Sequence, residues 1–331
     1  MLNRAFVLTG VLMLLMAVIL YLVLGKQASD ALVEQMLHRE QLATRAGANS
    51  FEIFFNLFSR SLLIQAEREI TNSVLNNFSL RWDGTPVAGA ILVDESGRVK
   101  FNGNRLQAPE VGEDLSDRDY FAWAKTAKKG EVFISSPAIS RLGASKGKYI
   151  VGVATPIIDD RGVFKGLLSA AVILDEMVGQ YLESMKVTEK SLIYLTDEGG
   201  DIVLTNQSDV LGKNFFEEIS KRPFLGSKVL AEKLRRILSL RQEGKLDIAA
   251  PERMLIAYAP VAVGNNHLML GIATPVSDAL VFLSPFYFRN LGVIALAFLG
   301  FLVIAIRIAK ITSYKEAVKV EHQIHKIKES V

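Results

Sequence analysis

The stretch AILVDESGRV, residues 90–99, has a second version, IYLTDEGGDI, at residues 193–202. Each version contains an apolar run, an Asp-Glu-x-Gly segment and a second apolar run, which is the pattern of two strands joined by a tight turn. Two other pairs of segments repeat at nearly the same distance along the chain: VATP (153–156) with AYAP (257–260), and the strand exits Leu174-Asp175 and Ser277-Asp278. Matches at one shared offset indicate a tandem duplication.

Each copy is expected to form about five strands with helical insertions, which gives an antiparallel sheet with helices on its faces and an α+β fold class. Before the first copy, residues 27–78 contain no proline and one glycine, Gly47. Apolar residues recur there at helical spacing: Phe51, Phe55, Phe58, Leu62, Ala66, Ile70 and Val74. This pattern predicts a long amphipathic helix.

Two apolar segments are candidates for membrane spans. Ala5–Leu24 has no charged residue, and about 20 apolar residues cross the hydrocarbon core as a helix. The length of this run, and the lack of a small-x-small cleavage site after it, favour an anchor over a cleaved signal peptide. The second segment, 291–306, follows aromatic residues at 286–288 that suit a membrane interface. Basic residues beyond it predict that both termini are cytoplasmic and that residues 26–288 are outside.

Composition excludes several classes of function. The chain has 331 residues, a net charge of +3, no cysteine and four histidines. The small net charge gives no reason to expect a nucleic-acid partner, and the lack of cysteine removes disulfides, thiolate nucleophiles and cysteine-bound metals. The sequence has no nucleotide-binding glycine loop, serine-hydrolase elbow or zinc-protease pattern. We therefore predict a protein that is not an enzyme and that has no metal or cofactor.

The most specific features of the first copy occur in a fixed order: DLSDRDYF (114–121), ISSP (134–137), KYIVGVATPI (148–157) and GVFKGLLSAAVILDEM (162–177). Together with the long helix and the duplication, this set resembles the double Cache domain over residues 27–280. That domain is a PAS-like extracytoplasmic sensor of bacterial chemoreceptors, histidine kinases and diguanylate cyclases. The resemblance implies a protein of the bacterial cytoplasmic membrane that senses a small molecule.

This architecture divides the chain into seven expected segments. They are a cytoplasmic N-terminus (1–4), a first transmembrane helix (5–25), a long extracytoplasmic helix (26–80), a membrane-distal Cache module (81–185), a membrane-proximal Cache module (186–280), a second transmembrane helix (286–308) and a short cytoplasmic coiled tail (309–331).

Arg118, Tyr120 and Phe121 match the Arg-x-aromatic-aromatic element that, in the family resembled, holds the anionic group of the ligand. A guanidinium can bind a carboxylate through two hydrogen bonds, and aromatic rings beside it exclude water. The same stretch also has a purely local interpretation, in which Ser116 or Asp117 caps a helix that begins near Arg118. The second copy lacks the element, which favours ligand binding by the first copy and signal transmission by the second.

Four further residues are candidates for the same site: Asp119, Ser135, Ser136 and Tyr149. One departure from the family affects the expected ligand. Amino-acid sensors of this family usually carry an aspartate that receives the ligand's amine, and the matching position here, counted back from Leu174-Asp175, is Ala171. Because a methyl group cannot neutralise an ammonium, we expect a small carboxylate without an amine.

Besides the lipid bilayer, we expect two protein partners for the ends of the chain: a second copy of the chain and a cytoplasmic protein. Apolar residues of the tail follow a heptad spacing: Ala317, Val320, Ile324, Ile327 and Val331. This spacing predicts a homodimer through the long helix and the tail. Because the tail is short, we expect a separate cytoplasmic signalling protein, unless the chain is a fragment of a longer kinase, chemoreceptor or diguanylate cyclase.

Two alternatives remain open from the sequence. Residues 227–242 predict a basic amphipathic helix, which either packs on a sheet with a solvated basic face or contacts anionic lipid. The alternative function is a two-span structural scaffold resembling polysaccharide chain-length regulators. That function leaves the tandem duplication unexplained.

Overall fold

The structure is a computed structural model that describes residues 2–107, 110–221, 227–250, 252–263, 266–281 and 284–328. Its contacts group into two compact units, of which one comprises residues 35–278. The other comprises the described residues before and after that range. The first unit contains both β-sheets, and the second contains the most apolar helical segments.

Eight α-helices lie within the described residues: α1 Leu2–Ala66, α2 Asn72–Arg81, α3 Asp119–Ala124, α4 Leu174–Met177, α5 Phe215–Ser220, α6 Ser227–Leu240, α7 Val276–Leu280 and α8 Ser284–Lys328. Six strands belong to the first copy: β1 Val87–Asp94, β2 Val99–Asn104, β3 Phe133–Ile134, β4 Ala138–Ile139, β5 Tyr149–Ile158 and β6 Phe164–Ile173. Five strands belong to the second: β7 Leu192–Thr196, β8 Ile202–Thr205, β9 Gly244–Ala250, β10 Glu252–Val263 and β11 Asn266–Pro275.

The two sheets have the same strand order. The first runs β2-β1-β6-β5-β3, with the short β4 also paired to β5, and the second runs β8-β7-β11-β10-β9. All strand pairs are antiparallel. The predicted duplication and the predicted α+β class are therefore confirmed. We call the first sheet and its helices the distal module and the second the proximal module, in chain order.

Helix α1 packs along both modules and joins their interiors into one core. Its predicted apolar stripe is buried: Phe51, Phe55, Phe58 and Leu62 are each at most 2% exposed. The same cluster contains Val172 of the distal sheet and Ile272 of the proximal sheet. Because one helix contributes to both halves of the core, a shift of either sheet changes the packing of the same helix.

The structure corrects the prediction of one continuous helix across residues 26–80, because α1 ends at Ala66 and a second helix begins at Asn72. The Thr71 hydroxyl caps α2 by accepting a hydrogen bond from the Val74 N–H. The break lets α2 cover the free edge of β2, where Asn72 Oδ1 accepts the Asn102 N–H at 2.9 Å. An uninterrupted helix would leave that edge without partners.

Two helices of the structure are long and apolar enough to cross a membrane, judged by length and composition. They are α1, over Thr9–Ala66, and the part of α8 over Tyr287–Thr312. Within this unit, the Tyr287 hydroxyl donates a hydrogen bond to the Gly25 carbonyl at 2.9 Å. Helix α8 continues to Lys328, and Val331, the last residue of the predicted heptad, lies outside the described residues.

The predicted basic helix forms as α6. Its buried face, Ala231 and Leu234, packs with Phe216 of α5. Its basic residues Lys233 and Arg236 are exposed. Helix α6 thus covers part of the proximal module and presents a solvated basic face.

A candidate ligand-binding site in the distal module

A row of small residues crosses the middle of the distal sheet. Ala171 on β6 lies between Gly89 on β1 and Gly152 on β5 in the strand register. Directly paired residues of neighbouring strands project to the same face of a sheet. Two glycines and an alanine in one row therefore leave a depression in that face.

A cavity of about 60 Å³ lies over this depression. A single water occupies about 10–15 Å³ on the same measure, so the cavity has room for several waters or one small organic molecule. The cover consists of the Arg118–Tyr120 segment, two asparagines of β2 and the loop after β4. The polar lining residues are Asn102, Asn104, Arg118, Asp119, Tyr120, Ser135, Ser140, Arg141, Ser145 and Ser169.

Arg118 precedes the first turn of α3 in an extended conformation, with φ −79° and ψ 142°. Its Nη2 donates to the Ile139 carbonyl at 2.7 Å. Within the described part of the chain Arg118 forms no ion pair. A half-buried guanidinium with most of its N–H groups unused is suited to an anionic ligand.

The local interpretation of this stretch, a cap by Ser116 or Asp117, is wrong. Arg118 occupies the N-cap position and no side chain caps α3. Asp117 instead forms a two-point ion pair with Arg141. The hydrogen bonds from Arg141 lower the pKa of the Asp117 carboxyl. Arg141 also lines the cavity, but its charge is balanced by Asp117.

Asp119 is engaged by the main chain. Its Oδ1 accepts the Tyr120 N–H at 2.7 Å, and its Oδ2 accepts the Ser136 N–H at 2.7 Å. Both carboxylate oxygens therefore already have a donor, and the side chain ties α3 to the loop that follows β3. Asp119 is in the cavity lining as predicted from the sequence, but in this structure its bonds hold the site together.

Tyr120 lines the cavity with its ring and is 7% exposed. Its hydroxyl has no hydrogen-bond partner among the residues that the structure describes. Burial raises the pKa of this hydroxyl to about 12, with Arg118 opposing the shift. The phenol is therefore protonated at physiological pH and can donate a hydrogen bond to a ligand.

The remaining predicted residues lie in three environments. Ser135 lines the cavity, where its Oγ accepts the Gly152 N–H at 2.7 Å. Ser136 is exposed and lies in a separate groove, and Tyr149 is 43% exposed outside the lining. Phe121 is 1% exposed and packs edge-on against Phe164, so it contributes to the core beneath α3. The structure thus brings Arg118, Asp119, Tyr120 and Ser135 together, with Ala171 opposite them.

Sequence reasoning missed six polar residues of the lining: Asn102, Asn104, Ser140, Arg141, Ser145 and Ser169. Asn102 and Asn104 on β2 are both 2% exposed, and the Asn104 amide donates to Asn102 Oδ1 at 3.1 Å. Ser169 on β6 is 3% exposed. The sequence contains a signal for Asn102, Asn104 and Ser169, because FNGN alternates two amides on one face and LLSAAVIL contains a single hydroxyl in an apolar strand.

The sequence profile of the Cache domain matches residues 17–281, which is more than half of the chain. No curated protein matches. Similar solved structures include an extracellular ligand-binding receptor from Desulfohalobium retbaense, with a TM-score of 0.53, 15% identity, and coverage of 70% of this chain and 39% of that one. The chain thus spans well under half of that receptor.

Two chemoreceptor domains match over nearly their whole length. They are the periplasmic sensory domain of Campylobacter jejuni Tlp1 (TM-score 0.52, 14% identity, 77% of this chain and 97% of that one) and the ligand-binding domain of Pseudomonas fluorescens CtaA (TM-score 0.52, 14% identity, 76% and 98%), which was solved with L-isoleucine. At such identities these likenesses concern the fold. From the profile match, the chain belongs to the Cache domain family, whose members are extracytoplasmic ligand-sensing domains of membrane receptors.

Proposed function

We propose that the protein is a membrane-anchored sensor that binds a small carboxylate in the distal cavity and passes a conformational change to a separate cytoplasmic partner. The observation that carries this proposal is the Arg118 guanidinium. It borders a small cavity and has no ion pair among the described residues, while the facing position carries the methyl group of Ala171. A free cation on one side and no anion on the other favour a ligand with a carboxylate alone.

The charges of the lining support a carboxylate over an amino acid. Among the described lining residues Asp119 is the one acid, and both of its oxygens accept main-chain N–H groups. A ligand ammonium in the cavity would therefore have to compete for Asp119 or stay unpaired, which is costly in a buried site. The CtaA domain was solved with L-isoleucine, so an amino acid is the ligand class against which this proposal is tested.

A route for the signal starts at the bond between Asp119 and Ser136. Ser136 and Pro137 face the proximal residues Asp197 and Glu198 across a groove of about 240 Å³. A ligand that moves Arg118 also moves α3, and through Asp119 it moves this loop against the proximal module. Helix α1 packs on both modules and continues into the predicted first span, so it is the element that we propose carries the change inward.

The outer face of α1 supports the proposed homodimer. Leu42, Ile53, Leu57 and Ile64 are between 49% and 60% exposed. Exposed apolar residues at helical spacing on a long helix are suited to a second copy of the same helix. We also propose that the chain crosses the lipid bilayer twice and that both of its termini are cytoplasmic.

Two experiments test the proposal. Full-length protein in detergent is screened for thermal stabilisation by small carboxylates and the matching α-amino acids; binding at 100 times Kd stabilises by about 2.7 kcal/mol. Stabilisation by a carboxylate supports the proposal, and stabilisation by amino acids alone refutes its ligand class. For the topology, a reporter enzyme active only outside the cytoplasm should work when fused after Lys129 and fail when fused after Val331. The reverse pattern refutes a sensor of this orientation.

A further inference from the structure

We propose that Ser169 is a specificity-determining residue of the cavity and that the ligand is a short hydroxycarboxylate, whose hydroxyl group is bound by the Ser169 side chain. This inference rests on the proposed function, in which Arg118 holds the carboxylate. It adds a second anchoring point, on the sheet that forms the cavity floor.

Ser169 differs from the other serines that line the cavity. Ser135 Oγ accepts the Gly152 N–H and donates to the Ser136 carbonyl at 3.0 Å. The hydroxyls of Ser140 and Ser145 bond to each other at 2.9 Å. Ser169 is 3% exposed, lines the cavity and has no hydrogen-bond partner in the part of the chain that the structure describes. Buried hydroxyls are normally paired, so this one is expected to meet a group inside the cavity.

The hydroxyl of Ser169 and the ring of Tyr120 approach the same spot. A methyl group placed on Gly152 would lie 3.2 Å from Tyr120 Cδ1 and 3.3 Å from Ser169 Oγ. Glycine keeps that spot open, so a ligand atom above Gly152 touches both side chains. Arg118, two residues before Tyr120 on the cover, lines the same cavity of about 60 Å³ as Ser169 on the floor.

The surroundings of Ser169 on the floor are apolar. Its paired neighbours in the register are Ile91 on β1 and Ala154 on β5. On the same strand the next residue facing the cavity is Ala171. The floor thus presents one neutral group that both donates and accepts a hydrogen bond, which matches a ligand hydroxyl. It presents no charge for an ammonium, and a ligand with a plain methyl group there would leave Ser169 unpaired.

The test compares L-lactate, D-lactate and glycolate with propanoate and L-alanine, using calorimetry on the full-length protein in detergent. At least one hydroxycarboxylate should bind about tenfold or more tightly than propanoate, because a site built around a hydrogen bond discriminates against analogues that lack it. Ser169→Ala should remove that preference by weakening the hydroxycarboxylate while leaving propanoate unchanged. Arg118→Ala should weaken every carboxylate.

Thr155→Val is the matched control. Thr155 is also buried, at 1% exposed, and its hydroxyl also has no partner among the described residues. It lies on β5 but outside the cavity lining. Its replacement should leave the preference intact. A loss of preference in Thr155→Val as well as in Ser169→Ala would show a general effect on the sheet and would overturn the inference.

The possible failures are distinguishable. Equal binding of lactate and propanoate that depends on Arg118 and not on Ser169 overturns this inference and leaves the proposed function standing. If no hydroxycarboxylate of the panel binds, this inference fails, and if L-alanine binds more tightly than every carboxylate of the panel, both fail. Gly152→Ala, which fills the spot between Tyr120 and Ser169, should reduce binding of all panel members, and unchanged binding would place the ligand elsewhere.

Discussion

The distal and proximal sheets share one strand order but differ in the side chains on the face that forms the cavity. Two rows across the sheet can be compared through the strand register. The distal rows are Gly89–Ala171–Gly152 and Ile91–Ser169–Ala154, and the proximal rows are Leu192–Ala273–Ile256 and Tyr194–Gly271–Tyr258. Large side chains occupy proximal positions where the distal module has glycine or alanine. The same backbone thus carries small side chains beside the described distal cavity and larger side chains at the matching proximal positions.

The helix that covers this face begins differently in the two modules. In the proximal module Asn214 forms the β-bridge to Asp201 and also caps α5, with Oδ1 accepting the Glu217 N–H. In the distal module Asp114 forms the corresponding bridge to Arg98, and α3 begins only after Arg118. A helix can therefore follow the bridge without an arginine at its start. The contrast supports the proposed role of Arg118 as a ligand-binding residue of the cavity.

The first prediction concerns α1, which contacts both modules but carries a buried acid only near the proximal one. Glu40 is 0% exposed, and neither carboxyl oxygen has a hydrogen-bond partner among the described residues. Burial raises the pKa of Glu40 to about 8. The Thr274 hydroxyl of the proximal sheet opposes this rise in the pKa.

Because the folded-state pKa lies above the unfolded value, Glu40 stabilises the fold fully below pH 4.5 and loses this contribution as the pH rises to about 8. The wild type should lose up to about 1.4 kcal/mol per pH unit in this window relative to Glu40→Gln. Urea unfolding at pH 5, 6, 7 and 8 measures the difference. Glu34→Gln, at an exposed position of the same helix, controls for the loss of a charge. The prediction would be contradicted if the free energy of unfolding changed with pH in the same way for the wild type and for Glu40→Gln.

The second prediction concerns the outer edges of the two sheets. At Gly103 an added Cβ would lie 2.1 Å from the Leu75 carbonyl carbon of α2. The corresponding proximal residue is Asn206, whose side chain fits at the sheet edge, and its Oδ1 accepts a hydrogen bond from the Ile193 N–H at 2.9 Å. Gly103→Ala should therefore destabilise the protein by about 3 kcal/mol through overpacking against backbone. Urea unfolding measures this, and Gly179→Ala, where nothing lies within 4 Å of the added carbon, should have little effect. Similar stabilities for both variants would show that α2 is not closely packed against β2 at Gly103.

The third prediction tests the cavity directly. Arg118→Ala should weaken binding of the preferred carboxylate by about 10- to 150-fold, the equivalent of a lost charged hydrogen bond of about 1.5–3 kcal/mol. The thermal stability of the unliganded protein should not change, since the side chain makes one bond to a carbonyl. Calorimetry and thermal unfolding give the two quantities. Arg161→Ala, at an exposed turn of the same module, should alter neither. An unfolded Arg118→Ala protein would mean that the arginine is structural.

The elements that repeat or follow a regular spacing were predictable from the sequence. The two Asp-Glu-x-Gly hairpins and the stripe of Phe51, Phe55 and Phe58 are of this kind, because both patterns arise within one segment. The break between Ala66 and Asn72 was not, because it depends on the edge of a sheet formed later in the chain. Ser169 was missed for a similar reason. Its role follows from a register across three strands, which a single strand pattern does not contain.

The smallest expected effect is a change of ligand preference at the position where the two sheets are most alike. Ala171 and its proximal counterpart Ala273 are both alanines in the central strand. Only Ala171 faces the described cavity with Arg118 opposite. Ala171→Asp should add a partner for an ammonium and shift the preference between L-alanine and L-lactate by about tenfold toward the amino acid, which is about 1.4 kcal/mol. Calorimetry at one pH and salt concentration measures both ligands. Ala273→Asp is the control and should leave the preference unchanged. Tighter binding of L-alanine than of L-lactate by the unmodified protein would point instead to Asp119, and Asp119→Asn would then abolish that preference.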